Sequence, residues 1–234
     1  MQDLTGALET AFRLMANLDE SLVEIVLLSL RVSLTATVLA AFFGFLIGAG
    51  LALNRFPGKQ WMLVLLNALM GLPPVVVGLA VYLLLSRAGP LGDLGLLFTS
   101  HAMVIAQWIL ITPLIAALTH QVIADLWSEY REQLLSLGAG RWGMLLTLLW
   151  EGRFSLLTVT LAGFGRAIAE VGAVLIVGGN IVHHTRVMTT AIALETSKGN
   201  LSVALGLGLV LIMMAIFVNA AASISKTVAQ RISG

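Results

Sequence analysis

Arg166 and Glu170 are two ionisable residues that lie four positions apart within a long apolar stretch of the sequence. Residues at this spacing share one face of an α-helix, so a helix would place the guanidinium group beside the carboxylate. Ionised groups are rare inside membrane spans, where they often mark a transport path. The alternative is an ion pair that only anchors the helices, and another helix could share it because Arg before Glu is the less favourable order. The spacing leaves both interpretations open.

A second concentration of charge lies in residues 125–153, which hold seven of the chain's 25 formal charges (13 basic plus 12 acidic). We predict two short helices around Gly138-Ala139-Gly140, because glycine accepts the left-handed conformation that ends many helices. An apolar stripe flanks this turn, at Leu134, Leu135, Leu137, Trp142, Leu145, Leu146 and Leu149. Such a stripe on a solvent-side helix pair indicates docking of a soluble partner. An amphipathic elbow resting on the membrane surface is the alternative.

The composition determines which kind of protein must position these residues. The chain has 234 residues, of which 59% are hydrophobic and 11% charged, and its mean hydropathy is +0.98. Ordinary soluble domains carry about 25% charged residues, so we expect one all-α membrane domain over residues 1–234. The absence of cysteine excludes disulfides, iron–sulfur clusters and thiolate zinc sites. A net charge of +1 gives no reason to expect nucleic acid as a partner.

About five transmembrane helices are predicted, since roughly 20 apolar residues suffice to cross the bilayer core. The apolar stretches run near residues 32–54, 61–85, 101–122, 155–178 and 202–225. Residues 1–24 read as an amphipathic segment that lies on the membrane surface. Glycines within the spans predict close helix packing, at Gly44, Gly48, Gly50, Gly163, Gly165, Gly172, Gly206 and Gly208. The basic residues mildly favour an outside N-terminus and a cytoplasmic C-terminus.

The second of these stretches contains Pro73 and Pro74, next to each other. Two prolines remove two backbone donors and clash with the preceding turn, so the helix must kink or break here. A broken helix is tolerated within a membrane where it contacts protein or lines a water-filled cavity. The prolines therefore predict either a purely structural kink or a break that lines a transport path.

Residues Arg131 to Trp142 resemble the EAA motif of binding-protein-dependent ABC importers, with Glu132 six positions before Gly138 and Trp142 four positions after it. The resemblance covers about residues 30–226 and implies the type I ABC importer permease fold. In that family the cytoplasmic loop forms a coupling helix that docks on the ATPase. The resemblance assigns this role to Glu132, Gly138, Ala139, Arg141 and Trp142. The sequence departs from the motif at Gln133-Leu134 and at Trp150-Glu151, where the family has small residues and Leu-Pro respectively.

A second resemblance concerns the transported substrate. Residues 165–181, which contain Arg166 and Glu170, resemble the sulfate, molybdate and tungstate branch of these permeases. Residues 71–78, 86–92 and 185–200 look most like the tungstate permease subunit. The resemblance therefore implies an importer of an oxyanion, most closely tungstate, with molybdate or sulfate as the alternatives.

The candidate sites fall into two further groups. Translocation-path candidates are Pro73, Pro74, Arg166, Glu170 and Asn180, and candidates for docking a binding protein are Arg186, Thr189 and Thr190. Other donors for a passing anion are Asn67, Gln107, Thr112 and Asn219, each of which could equally serve an interhelical hydrogen bond. His183 and His184 are adjacent but lack a nearby carboxylate cluster, so no metal site is expected.

The resemblance implies a homodimer in the cell membrane that works by alternating access. It also implies a cytoplasmic ABC ATPase dimer and an extracytoplasmic oxyanion-binding protein. No Walker A sequence occurs, so we expect a chain that is not an enzyme and binds no cofactor, with ATP and Mg on the ATPase. An ion-gradient-driven secondary transporter is less favoured, because that class often has paired broken helices. An intramembrane enzyme would need a convergent His, Asp and Glu set within the spans, which the sequence does not suggest.

Overall fold

The described chain is almost entirely helical, and several of its helices end at or shortly before a glycine. The computed structural model describes the backbone of residues 20–233 and the side chains of residues 20–224. Within that range lie nine α-helices: α1 (Glu20–Leu53), α2 (Lys59–Met70), α3 (Pro74–Leu85), α4 (Ser100–Ser136), α5 (Arg141–Glu151), α6 (Arg153–Ile168), α7 (Gly172–Gly178), α8 (Met188–Ser197) and α9 (Leu201–Ser233). A short 3-10 turn covers Gly92–Leu94.

Three of the described helices are long and apolar enough to cross a membrane: α1, α4 and the part of α9 from Leu201 to Ile224. The pairs α2–α3 and α5–α6 pass the same test together, but they bend by 97° and 72° respectively. The described residues therefore supply three to five spans, in agreement with the expected all-α membrane fold.

Two predicted boundaries are wrong. Helix α1 begins at Glu20, about three turns before the predicted first span, and the rest of the predicted amphipathic segment lies outside the described residues. The predicted span over residues 155–178 is interrupted, because α6 ends at Ile168 and α7 begins at Gly172.

Pro73 and Pro74 separate two helices rather than bending one. Pro73 caps α3 with φ −62° and ψ 126°, and Pro74 occupies the first helical position. The missing N–H of proline costs nothing there, because the first helical N–H groups have no intrahelical partner. The prediction of a kink or break is confirmed as a break.

Contacts within the chain divide it into two compact units. Unit 1 comprises residues 1–36, 73–107 and 165–217. In it α3 packs on α7, with Gly78 directly against Ala173. A Cβ atom built on Gly78 would lie 2.7 Å from the Cα of Ala173, so this approach of two backbones requires glycine.

Unit 2 comprises residues 37–72, 108–164 and 218–234. Here the C-terminal half of α1 packs on α4, and a Cβ atom on Gly48 would lie 2.4 Å from the carbonyl oxygen of Ala116. By contrast, a Cβ atom on Gly50 would meet no atom within 4 Å. A cluster of buried residues lies further along, formed by Ala49 and Ala52 of α1, Ile123 and Leu134 of α4, and Leu148 of α5.

Candidate functional site

The predicted coupling loop begins as the end of a long helix. Helix α4 continues without interruption to Ser136, so the first of the two predicted short helices is the last part of α4. This correction has a local cause: residues 123–136 contain neither glycine nor proline and are mostly good helix formers. The second predicted helix exists as α5.

Gly138 ends α4 in the way that its position predicts. Its φ is +66°, in the left-handed region. Its N–H donates to the carbonyl oxygen of Leu135 at 3.1 Å, and the N–H of Ala139 donates to that of Leu134, also at 3.1 Å. This is the Schellman arrangement, which satisfies carbonyl groups at a helix C-terminus. A Cβ atom on Gly138 would meet nothing within 4 Å, so the backbone conformation rather than space favours glycine.

The predicted apolar stripe divides into two faces. Leu134 is buried in the cluster of unit 2 together with Leu148, which was not part of the predicted stripe, and Leu145 and Leu149 pack against this cluster. The other members are exposed, and Trp150 joins them although the sequence reasoning did not assign it a surface role. We call the exposed set the docking face: Leu135 (50% exposed), Leu137 (80%), Trp142 (75%), Leu146 (62%) and Trp150 (70%).

The docking face is ordered by helical spacing and bordered by charge. Trp142, Leu146 and Trp150 recur every four residues, which places them on one side of α5. That periodicity could have revealed Trp150 from the sequence. Glu132 and Arg141 are exposed beside this face, and Ala139 is half-buried.

The bend after α5 occurs where the sequence departs from the Leu-Pro ending of the EAA motif. The N–H of Gly152 donates to the carbonyl oxygen of Leu148 at 2.9 Å. The Arg153 guanidinium donates from Nη1 to the carbonyl oxygen of Trp150 at 2.8 Å and lies 5.0 Å from the Trp150 ring centroid. A cation over an aromatic face is attracted by the negative face of the ring, so Arg153 stabilises this bend.

Arg166 and Glu170 meet, although not on one helical face as predicted. Helix α6 ends at Ile168, and Glu170 lies in the short break before α7. Nη1 of Arg166 nevertheless donates to Oε2 of Glu170 at 2.9 Å. The other carboxylate oxygen, Oε1, accepts the N–H of Ala173 at 3.1 Å, one of the free N–H groups at the start of α7. Glu170 therefore lies outside α6, and its carboxylate accepts a hydrogen bond from the first turn of α7.

Neighbouring helices of unit 1 hold this break. The Thr189 hydroxyl on α8 donates to the carbonyl oxygen of Glu170 at 2.7 Å. Nε2 of Gln107 on α4 donates to the carbonyl oxygen of Ala167 at 3.0 Å. Gln107, Glu170 and Thr189 are 3%, 2% and 7% exposed. We call these three buried residues and Arg166, whose side chain is partly exposed, the buried polar network.

Asn180 belongs to a neighbouring turn rather than to this network. It has a φ of +51°, which asparagine tolerates better than most residues. Its Oδ1 accepts the Thr190 hydroxyl at 3.0 Å. In the same turn the Thr185 hydroxyl donates to the carbonyl oxygen of Gly178 at 2.6 Å and accepts the N–H of Ile181 at 2.9 Å. These contacts give Asn180 a role in shaping the turn.

The predicted docking residues for a binding protein have to be corrected. Thr189 and Thr190 are 7% and 1% exposed and form hydrogen bonds within unit 1, so neither offers a surface. Arg186 is half-buried and lines a cavity of about 230 Å³. The exposed side chains of this segment are instead Ile181, Val182, His183 and His184.

A His–Glu hydrogen bond and an ion pair, both missed by the sequence reasoning, border the same cavity. Nδ1 of His183 lies 2.7 Å from Oε2 of Glu24. Oε1 of Glu195 accepts from Lys198 at 2.9 Å, and Oε2 accepts from Asn200 at 3.0 Å. The hydrogen bond from Lys198 lowers the pKa of Glu195, with burial opposing it and Asn200 and Arg186 adding to it. The i to i+3 spacing of Glu195 and Lys198 was a usable signal in the sequence.

Comparisons with known proteins give a consistent result. The sequence model of a family described as "Binding-protein-dependent transport system inner membrane component" matches residues 40–232. The chain is 40% identical to the tungstate uptake system permease protein TupB of Peptoclostridium acidaminophilum, over 94% of this chain and 96% of that protein. It is 38% identical to the protein of the same name from Campylobacter jejuni, over 89% and 87%.

A further relative has a broader name. The chain is 40% identical to a probable anion ABC transporter permease protein of Haloferax volcanii, over 85% of this chain and 88% of that protein. Permeases named for sulfate and molybdenum transport match at 27% to 29% identity. The similarity thus extends over almost all of the chain and is greater to permeases named for tungstate or for anions.

Proposed function

This chain belongs to the family of binding-protein-dependent transport system inner membrane components, and we propose that it is the permease subunit of an ATP-driven tungstate importer. The family is a transport component and not a catalytic one. The names of the 40% and 38% identical relatives support tungstate. Molybdate or sulfate is the alternative substrate, since both are tetrahedral oxyanions and more distant relatives are named for sulfate and molybdenum transport.

The docking face is the observation that carries the coupling part of this proposal. Leu137, Trp142 and Trp150 each expose 70% or more of their surface, so three large apolar side chains of this segment are uncovered. Interface centres are enriched in Trp, and a polar rim commonly surrounds them. Glu132 and Arg141 supply that rim here. We assign the face to a cytoplasmic ABC ATPase, with Gly138 and Ala139 shaping the turn and ATP with Mg held by the ATPase.

The proposed assembly has two copies of the permease, two of the ATPase and one extracytoplasmic oxyanion-binding protein. The N-terminus would lie outside and the C-terminus in the cytoplasm. Import would proceed by alternating access, with Pro73, Pro74, Arg166, Glu170 and Asn180 as the path candidates. For docking of the binding protein we retain Arg186 and substitute the exposed Ile181, Val182 and His184 for the two buried threonines.

A matched pair of tryptophans tests the docking face. Trp142 and Trp61 are 75% and 76% exposed, so replacing either by alanine should leave the unfolding midpoint nearly unchanged. Trp142→Ala should weaken association with the ATPase by at least about tenfold, as loss of an interface hot spot does. Trp61→Ala should not. Retention of full ATPase binding and coupled hydrolysis in Trp142→Ala would overturn the assignment.

The substrate is tested by uptake of labelled tungstate into proteoliposomes that contain permease and ATPase, with loaded binding protein outside. We expect tungstate to outcompete molybdate and sulfate. Equal competition by sulfate would exclude tungstate as the preferred substrate. Uptake by the permease without ATPase or ATP, driven by an imposed ion gradient, would instead favour the secondary transporter.

A further inference from the structure

Arg166 keeps most of its hydrogen-bonding capacity unused. A guanidinium group has five N–H donors and no acceptor. Among residues 20–224, the Arg166 side chain donates one hydrogen bond, to Oε2 of Glu170, and 39% of the side chain is exposed. An exposed arginine within a membrane-embedded fold needs water or an anion at its free donors, since hydrocarbon offers no acceptor.

By contrast, both carboxylate oxygens of Glu170 already accept hydrogen bonds. Its side chain is 2% exposed, Oε1 is bound by the N–H of Ala173 and Oε2 by Arg166. Its own carbonyl oxygen accepts the Thr189 hydroxyl, which fixes the backbone as well. The Glu170 carboxylate is therefore a stationary negative charge 2.9 Å from the Arg166 guanidinium.

From this asymmetry we infer that Arg166 contacts the oxyanion during passage and that Glu170 is the fixed counter-charge that keeps this contact weak. The inference rests on the proposed function, an importer of a tetrahedral oxyanion. The planar guanidinium can offer paired N–H donors to two oxygens of such an anion. An uncompensated arginine in a site of low dielectric would hold a dianion too tightly. A transport site must also release its ion, and Glu170 offsets much of the attraction.

Charge-neutralising variants separate this role from simple anchoring. Glu170→Gln keeps the shape of the side chain and leaves Arg166 uncompensated, so tungstate should bind the permease–ATPase complex at least about tenfold more tightly. Uptake should slow, because release is slowed. Arg166→Gln leaves the buried carboxylate unpaired and should abolish tungstate binding. An ion pair that only anchors helices predicts instead that both variants lower stability and that neither tightens binding.

The experiment measures binding of labelled tungstate to the detergent-purified permease–ATPase complex without binding protein, for wild type and each variant. Glu195→Gln is the matched control, because Glu195 is also a largely buried carboxylate in unit 1 with a cation at 2.9 Å. It should leave tungstate affinity unchanged. An unchanged or weaker affinity in Glu170→Gln overturns the inference.

The double variant Arg166→Gln/Glu170→Gln covers the case in which Glu170→Gln does not insert. It carries no charge at either position and should not bind tungstate, so wild-type affinity in this variant also overturns the inference. Wild-type uptake keeps the two proposals apart. If wild type imports no oxyanion, the proposed function fails; if it imports tungstate and the variants do not behave as stated, only the counter-charge role fails.

Discussion

Trp142, Leu146 and Trp150 in unit 2 expose between 62% and 75% of their surface, whereas Glu170 and Thr189 in unit 1 expose 2% and 7%. Large apolar side chains are thus outside on α5, and hydrogen-bonding side chains are inside around α6–α8. In a soluble protein each of these would be unusual. The polar region obtains its partners from its own chain, whereas the proposed function gives the apolar region a partner in another molecule.

This difference predicts how mutations in each region should act. Glu170 and Thr189 of the buried polar network are hydrogen-bonded within unit 1, so a change in either should alter stability or the anion contact directly. The docking face has few partners within the described chain, so a change in it should leave the permease folded and act on assembly. The following predictions test whether the two regions separate in this way.

The largest difference in stability is expected between variants on the two faces of α5. Leu148 is 1% exposed and Leu146 is 62% exposed. Leu148→Ala opens a cavity in the unit 2 cluster and should lower the free energy of unfolding by about 2–5 kcal/mol. Leu146→Ala should change it by less than about 0.5 kcal/mol and weaken ATPase binding. Thermal unfolding of the purified permease, with a pull-down of the ATPase, measures both. Equal destabilisation by the two variants would contradict the two-face description.

A smaller effect on stability is expected at the turn between α4 and α5. Gly138→Val forces a β-branched residue to a φ of +66°, which costs about 1–3 kcal/mol of local strain. The turn should relax by moving α5, so ATP hydrolysis should uncouple from uptake while the permease remains inserted. Gly140 has an ordinary φ of −70° and open space around it, so Gly140→Ala is the control. Wild-type coupled uptake in Gly138→Val would show that the turn does not set the coupling geometry.

Much of the fold and of the docking face follows from local sequence, because both depend on local requirements. Span length follows from bilayer thickness, which is why about five spans could be predicted, against the three to five that the described residues supply. The left-handed residue at Gly138 follows from the conformational freedom of glycine. Even the exposed Trp150 lies at the helical spacing set by Trp142. Sequence could not distinguish Gly48 from Gly50, since only the packing of α1 on α4 makes one of them indispensable.

The buried polar network was less predictable because it depends on tertiary contacts. The break at Glu170 contains no proline, and its cause is the N–H of Ala173 and the Thr189 hydroxyl, 3 and 19 residues away. Thr189 and Thr190 look like surface residues by type, and only the packing of unit 1 buries them. The path role of Arg166 and Glu170 remains a prediction.

A still smaller change in stability is expected from the loss of one hydrogen bond of this network. Thr189→Val keeps the shape of the side chain and removes the 2.7 Å hydrogen bond to Glu170. Loss of a buried hydrogen bond should cost about 1 kcal/mol, somewhat more if the carbonyl is left unpaired. Thr35→Val is the control, because Thr35 is exposed and its hydroxyl bonds within its own helix. Unfolding midpoints in detergent compare them, and equal shifts would mean that the Thr189 contact adds nothing.

The smallest effect should be the pH dependence of the Glu195–Lys198 pair, which lies outside both regions. Lys198 lowers the pKa of Glu195 in the folded state, so the pair stabilises the fold above the ordinary carboxyl pKa of 4.5. That stabilisation is lost as the pH falls through the lowered folded pKa. Lys198 is 52% exposed, and solvent screening limits the contribution to below about 1 kcal/mol.

Lys198→Gln removes the main cause of the lowered pKa of Glu195. Burial, which raises that pKa, is then opposed only by Asn200 and Arg186, which lower it. The unfolding midpoint of this variant should therefore lie slightly below wild type near neutral pH and converge with it in acid, once the pH has fallen below the lowered pKa of Glu195. Lys198→Arg retains the cation and should follow wild type. A gap between Lys198→Gln and wild type that persists in acid would mean that packing of the lysine stem, rather than the ion pair, stabilises this end of α8. In that case polar contacts within unit 1 would stabilise the fold only in the buried polar network.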